Sequence, residues 1–109
     1  MSWQPICKLS ELQPARGKYV EVRRACLAIF LHEDRVFAMD NACPHAGANL
    51  AGGFIEEGCV VCPKHNWSFR LEDGQLRDSP GVNVQTYPVR VVDNPAGEKI
   101  VEVLVPEET

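Results

Sequence analysis

Cys43-Pro44-His45 and Cys62-Pro63-Lys64-His65 are the segments of this chain best equipped for chemistry. Each sets one thiolate donor and one imidazole donor at a tight turn, and sixteen residues separate them. Two of the three histidines of the protein fall inside these segments. Two Cys and two His at such spacing can close around a metal. Structural zinc uses tetrahedral Cys2His2 sites, so a zinc-binding domain is one reading. A Cys-x-His pair is short for zinc, whose pairs usually leave two or more residues between ligands. The same donor set also suits a two-iron centre in which imidazoles hold one iron and thiolates the other.

The rest of the chain must position those donors. At 109 residues it is expected to form one domain, with a modest core and no room for a separate catalytic domain. The composition is that of a globular protein, 45% hydrophobic and 24% charged. No run approaches the roughly 18 apolar residues of a membrane span, and MSWQPICKLSEL lacks the basic and apolar regions of a secretory signal. A net charge of −4 argues against a nucleic-acid surface and is compatible with a basic patch on a protein partner. Five cysteines without a signal make a disulfide framework unexpected, so a cytoplasmic location is the expectation. Cys7 and Cys26 read as small buried hydrophobes, and Cys59 as buried beside the second ligand segment. Glu56 and Glu57 read as a solvated turn, leaving no acid–base pair and no turnover by this chain alone.

Alternation and turn residues predict an all-β fold. Strands are expected at Trp3 to Lys8, Lys18 to Val22, Cys26 to Leu31 and Val36 to Met39, the last two joined by a four-residue charged turn carrying a solvated His32. Phe54-Ile55-Glu56 and Cys59-Val60-Val61 read as short strands around Glu57-Gly58, followed by Trp67 to Leu71 and an Asp73-Gly74 turn. Val82 to Val92 alternates, with Pro88 marking an edge or a bulge, and Lys99 to Val105 is the last strand. Only Ala46 to Leu50 suits a helical turn.

The motif Cys43-x-His45-x16-Cys62-x2-His65, with the words CPHAG and CPKHNWSF, closely resembles the Rieske family, and the resemblance covers most of the chain. It implies one Rieske [2Fe–2S] cluster, with Cys43 and Cys62 on the inner iron and His45 and His65 on the outer, more exposed one. It also implies an antiparallel β-sandwich over 1–109, with base sheets in about 1–41 and 76–109 and a cluster-binding subdomain of two loops in about 42–75. In high-potential relatives each loop adds a cysteine to a bracing disulfide; Ala48 and Lys64 stand at those positions here. Hydroxyls near the cluster sulfurs of those relatives are matched by Trp67 and Phe69, which implies the low end of the Rieske range, about −150 mV or somewhat above. Trp67 is expected to pack beneath the second ligand loop, and Ser79-Pro80-Gly81 resembles the loop that covers the cluster. The function implied is soluble one-electron carriage, as a Rieske-type ferredoxin or as the small subunit of an NAD(P)H nitrite reductase, which CPKHNWSF and VQTYPVRV resemble. Its partners would be a reductase or the large subunit of a terminal oxidoreductase. A structural or regulatory subunit of an oxidoreductase is the other alternative.

Overall fold

The computed structural model describes residues 1–14, 16–43, 47–64, 66–77 and 81–106. Among them, ten strands follow one another: β1 (Ser2–Lys8), β2 (Gly17–Val22), β3 (Ala25–His32), β4 (Arg35–Asp40), β5 (Phe54–Glu56), β6 (Cys59–Val61), β7 (Ser68–Arg70), β8 (Thr86–Tyr87), β9 (Val89–Asp93) and β10 (Lys99–Val105). Helical structure there is confined to two 3-10 turns, Leu9–Glu11 and Leu50–Gly52. The strands build three sheets, ordered β1-β10-β9, β2-β3-β4-β8 and β5-β6-β7. Every strand pair is antiparallel. The fold is all-β, as the alternation predicts, and antiparallel, as the family resemblance implies.

The apolar run of β3 explains how the sheets stack. A strand with one wet face alternates, whereas a strand buried on both faces is apolar throughout. Leu27 and Ile29 lie in one core with Val101 and Val103 of β10. Ala28 and Phe30 lie in a second core with Leu50, Val60 and Phe69. The four-stranded sheet is therefore the middle layer. One face meets the β1-β10-β9 sheet and the other carries β5-β6-β7 together with the segment around Leu50. Leu27, Ile29 and Phe30 are fully buried, and each contributes about 1.5–3 kcal/mol of transfer free energy.

Three local expectations are corrected. The β3–β4 turn has two residues, not four: Glu33 and Asp34 both take positive φ, 50° and 64°, the conformation that matches strand twist in tight hairpins. His32 therefore pairs with Arg35 as the last rung and is half-buried, not a loop residue. β8 and β9 each lie at a sheet edge, so Pro88 between them marks an edge, as expected. It is the point where the chain leaves β4's neighbour β8 for β10's neighbour β9, and its carbonyl accepts from the Leu104 N–H at 3.0 Å. A residue without an N–H fits a crossover between two ladders. Cys26 is exposed, because it shares the face of Ala28 and Phe30 but lies beyond the rim of the layer that covers them. Cys7 is half-buried against the outer core, and Glu57-Gly58 forms the expected two-residue turn, both at positive φ.

Candidate metal centre

The second ligand segment is the loop of the β6–β7 hairpin. Val61 pairs with Ser68, and the ladder runs one rung further, with the Cys62 N–H donating to the Trp67 carbonyl at 2.7 Å. Residues 62–67 thus form a six-residue loop that begins at a cysteine. Asn66, fifth in it, takes φ of 56°, a left-handed conformation that asparagine tolerates better than most residues.

The first segment closes through the same kind of backbone hydrogen bond. The Cys43 N–H donates to the Ala48 carbonyl at 2.9 Å, and the Gly47 N–H donates back to the Cys43 carbonyl at 2.7 Å. Gly47, again fifth in a six-residue loop, takes φ of 66°. Two loops of one length and one closure therefore each present a cysteine at the first position. Histidine stands third in one and fourth in the other; His45 and His65 lie outside the described residues.

The structure brings Cys43 and Cys62 together. They are 1% and 0% exposed and share the inner core with Ala48, Phe69 and Val84. Burial pushes the Cys62 thiol above its ordinary range; a backbone hydrogen bond at Lys64 opposes this, while the neighbouring Cys43 thiol hydrogen-bonds to it and adds to the rise. Two adjacent sulfurs, shielded from water and met by a backbone donor, suit a thiolate-bound iron: a metal would take the place of the protons, and the N–H would support the charge.

Cys59 is not part of this arrangement. It lies three residues before Cys62 along a strand that alternates faces, is buried on the other side near Glu57 and Arg77, and has its thiol raised chiefly by burial. All five cysteines are free thiols, so no disulfide joins the loops. Ala48 is buried, whereas Lys64 is exposed. Trp67 is half-buried against the inner core, its ring centroid 6.5 Å from that of Phe69 at 46°. Of Ser79-Pro80-Gly81, only Gly81 is among the described residues. Sequence reasoning missed Asn41 and Asn49, whose side chains bond beneath the first loop at 2.8 Å.

A model of the Rieske-like [2Fe-2S] domain matches residues 2–97. The chain is 32% identical over 92 residues to the ferredoxin subunit of anthranilate 1,2-dioxygenase from Burkholderia cepacia, covering 84% of this chain and 85% of that one. It is 43% identical over 80 residues to cholesterol 7-desaturase from Drosophila melanogaster, covering 72% of this chain but only 19% of that enzyme. The match thus spans about a fifth of the desaturase and most of the ferredoxin subunit. Among solved structures, one described as the small subunit of an NADH-dependent nitrite reductase from Mycobacterium tuberculosis superposes with a TM-score of 0.81. It is 29% identical, over 96% of this chain and 97% of that one. Among the described residues no helix is long and apolar enough to cross a membrane. With the family model spanning most of its length, the chain belongs to the Rieske-like [2Fe–2S] domain family.

Proposed function

We propose that Cys43 and Cys62 hold the inner iron of the cluster, and His45 and His65 the outer iron. The observation that supports this reading most directly is the pair of matched six-residue loops setting two buried thiols side by side. A [2Fe–2S] cluster, when bound, accepts and returns one electron. The chain's own residues supply the rest. Two thiolates bring negative charge to a water-excluded core, the Lys64 backbone donor offsets part of that charge, and Phe69 with Trp67 fills the space behind the second loop. Imidazoles of His45 and His65, as neutral ligands, would leave more positive charge on their iron than the thiolates leave on theirs, which would favour its reduction.

The carrier serves as one component of a larger cytoplasmic oxidoreductase, receiving electrons from a reductase and passing them to a terminal enzyme. The likeness to a dioxygenase ferredoxin subunit and to a nitrite reductase small subunit, each nearly full length, supports this role.

Iron and acid-labile sulfide analysis of single variants tests the ligand set. The unmodified protein is expected to hold two of each per chain. Cys43→Ser, Cys62→Ser, His45→Ala and His65→Ala are each expected to abolish the Rieske spectrum, while Cys59→Ser and Cys26→Ser keep it. Zinc in place of iron, or an unchanged spectrum in a ligand variant, overturns the assignment.

A further inference from the structure

The two cysteine-led segments share a closing backbone hydrogen bond but not an anchor. The second grows from a regular hairpin with three paired rungs, Cys59 with Arg70, Val60 with Phe69 and Val61 with Ser68. Beneath the first there is no such stem. Strand β4 ends at Asp40, Ala42 and Asn49 form only an isolated bridge, and the returning limb turns at once into the Leu50–Gly52 3-10 turn.

Asn41 stands where that ladder stops. It is the one buried polar side chain among the described residues, 4% exposed, and a buried amide is costly unless its hydrogen bonds are made. Here they are. The backbone N–H donates to the Cys26 carbonyl at 2.9 Å, and the backbone carbonyl accepts from the Leu50 N–H at 2.8 Å. Side-chain Oδ1 accepts from the Ala51 N–H at 2.9 Å. Nδ2 donates to Asn49 Oδ1 at 2.8 Å. The side-chain amide thus takes one backbone donor and supplies one donor, as another peptide rung would. Through Cys26 the same residue is tied to β3, the strand buried between both cores.

We propose that Asn41 is a positioning residue for the metal centre: its amide replaces the missing rungs and fixes the first ligand loop, with Cys43 two residues further on, against the second. The proposal rests on the assignment of Cys43 as a ligand. A fold-stabilising role alone would lower the melting temperature and leave the cluster's environment unchanged. A positioning role must appear in the cluster itself.

The test uses the cluster-loaded protein in three forms: Asn41→Ala, the milder Asn49→Ala, and Val103→Ala, a remote core truncation as a destabilised control. The readouts are the rate at which visible absorbance is lost to a chelator and the line shape of the reduced EPR spectrum. Asn41→Ala is expected to lose its cluster about tenfold faster or more, with a broadened spectrum, and Asn49→Ala to fall between it and the unmodified protein. Val103→Ala should melt lower yet keep the ordinary loss rate and spectrum. Asn41→Ala behaving like Val103→Ala overturns the proposal. If Asn41→Ala does not fold, Asn49→Ala decides, and an ordinary loss rate with an ordinary spectrum overturns it equally. Cys43→Ser separates the two claims: an unchanged spectrum there removes the ligand assignment, whereas its loss beside an unaltered Asn41→Ala removes only the positioning role.

Discussion

Phe69 is wholly buried in the core that contains Cys43 and Cys62, with Trp67 beside it. High-potential Rieske relatives place hydroxyls at these two positions, where they stabilise the reduced cluster. Phe69→Tyr puts one hydroxyl back. If that hydroxyl donates to a cluster sulfur, a net gain of about 1 kcal/mol for the reduced form raises a one-electron potential by roughly 40 mV. Redox titration of the variant against the unmodified protein measures this, and an unchanged potential with an intact cluster contradicts it. The thiols at 43 and 62, which the structure brings together, are legible in the sequence because each leads a short Cys–His segment. Asn41 and Asn49 are not: an amide bonded to residues eight and ten positions away sits in no short motif and follows no strand period. Cys26 misled for a related reason. Its neighbours Ala25 and Leu27 signal burial, but whether a layer covers its own face is settled by where the third sheet ends.

At the scale of elements, close approach matters as much as apolar pattern. A Cβ on Gly53 would stand 2.1 Å from the Val61 carbonyl oxygen, at the start of β5 and against the end of β6. Gly53→Ala is therefore expected to cost about 1–3 kcal/mol, seen as a lower urea midpoint. A midpoint equal to that of the unmodified protein counts against this packing. Tyr87 of β8 donates to Asp40 Oδ1 at 2.6 Å and so secures the last strand of the middle sheet to β4. Burial, and then this bond to Asp40, hold the Tyr87 phenol above its ordinary range; hydrogen bonds with Cys26 and Glu21 do the same for Tyr19. A phenol raised on folding contributes stability that is complete below its unfolded value, about 10, and is lost as pH rises through the folded value. Urea midpoints should fall on going above about pH 10, and Tyr87→Phe should flatten that fall. An equally steep decline in the variant contradicts the assignment. Most strands were legible because β-branched and aromatic runs alternate between good turn signals. The passage of one run through Pro88 from sheet to sheet was not, since both halves alternate alike and only the partners differ.

The described residues make three layers, with β3 of the middle sheet feeding a core on each face and Cys43 and Cys62 set in the inner core. Surface ion pairs, such as Lys8–Glu98 at 2.7 Å and Arg35–Glu72 at 2.8 Å, join exposed side chains and add little to stability in water. Apolar layering carries the fold. The net charge of −4 leaves association with a basic partner sensitive to salt. The central claim, a low-potential one-electron carrier on a two-Cys, two-His cluster, is tested most directly by an EPR-monitored redox titration of the purified protein. The expected result is a rhombic signal of low average g that appears on dithionite reduction with one-electron behaviour, near the low end of the Rieske range at about −150 mV or somewhat above. A colourless, EPR-silent protein containing zinc, or a midpoint above roughly +100 mV within that range, would contradict it.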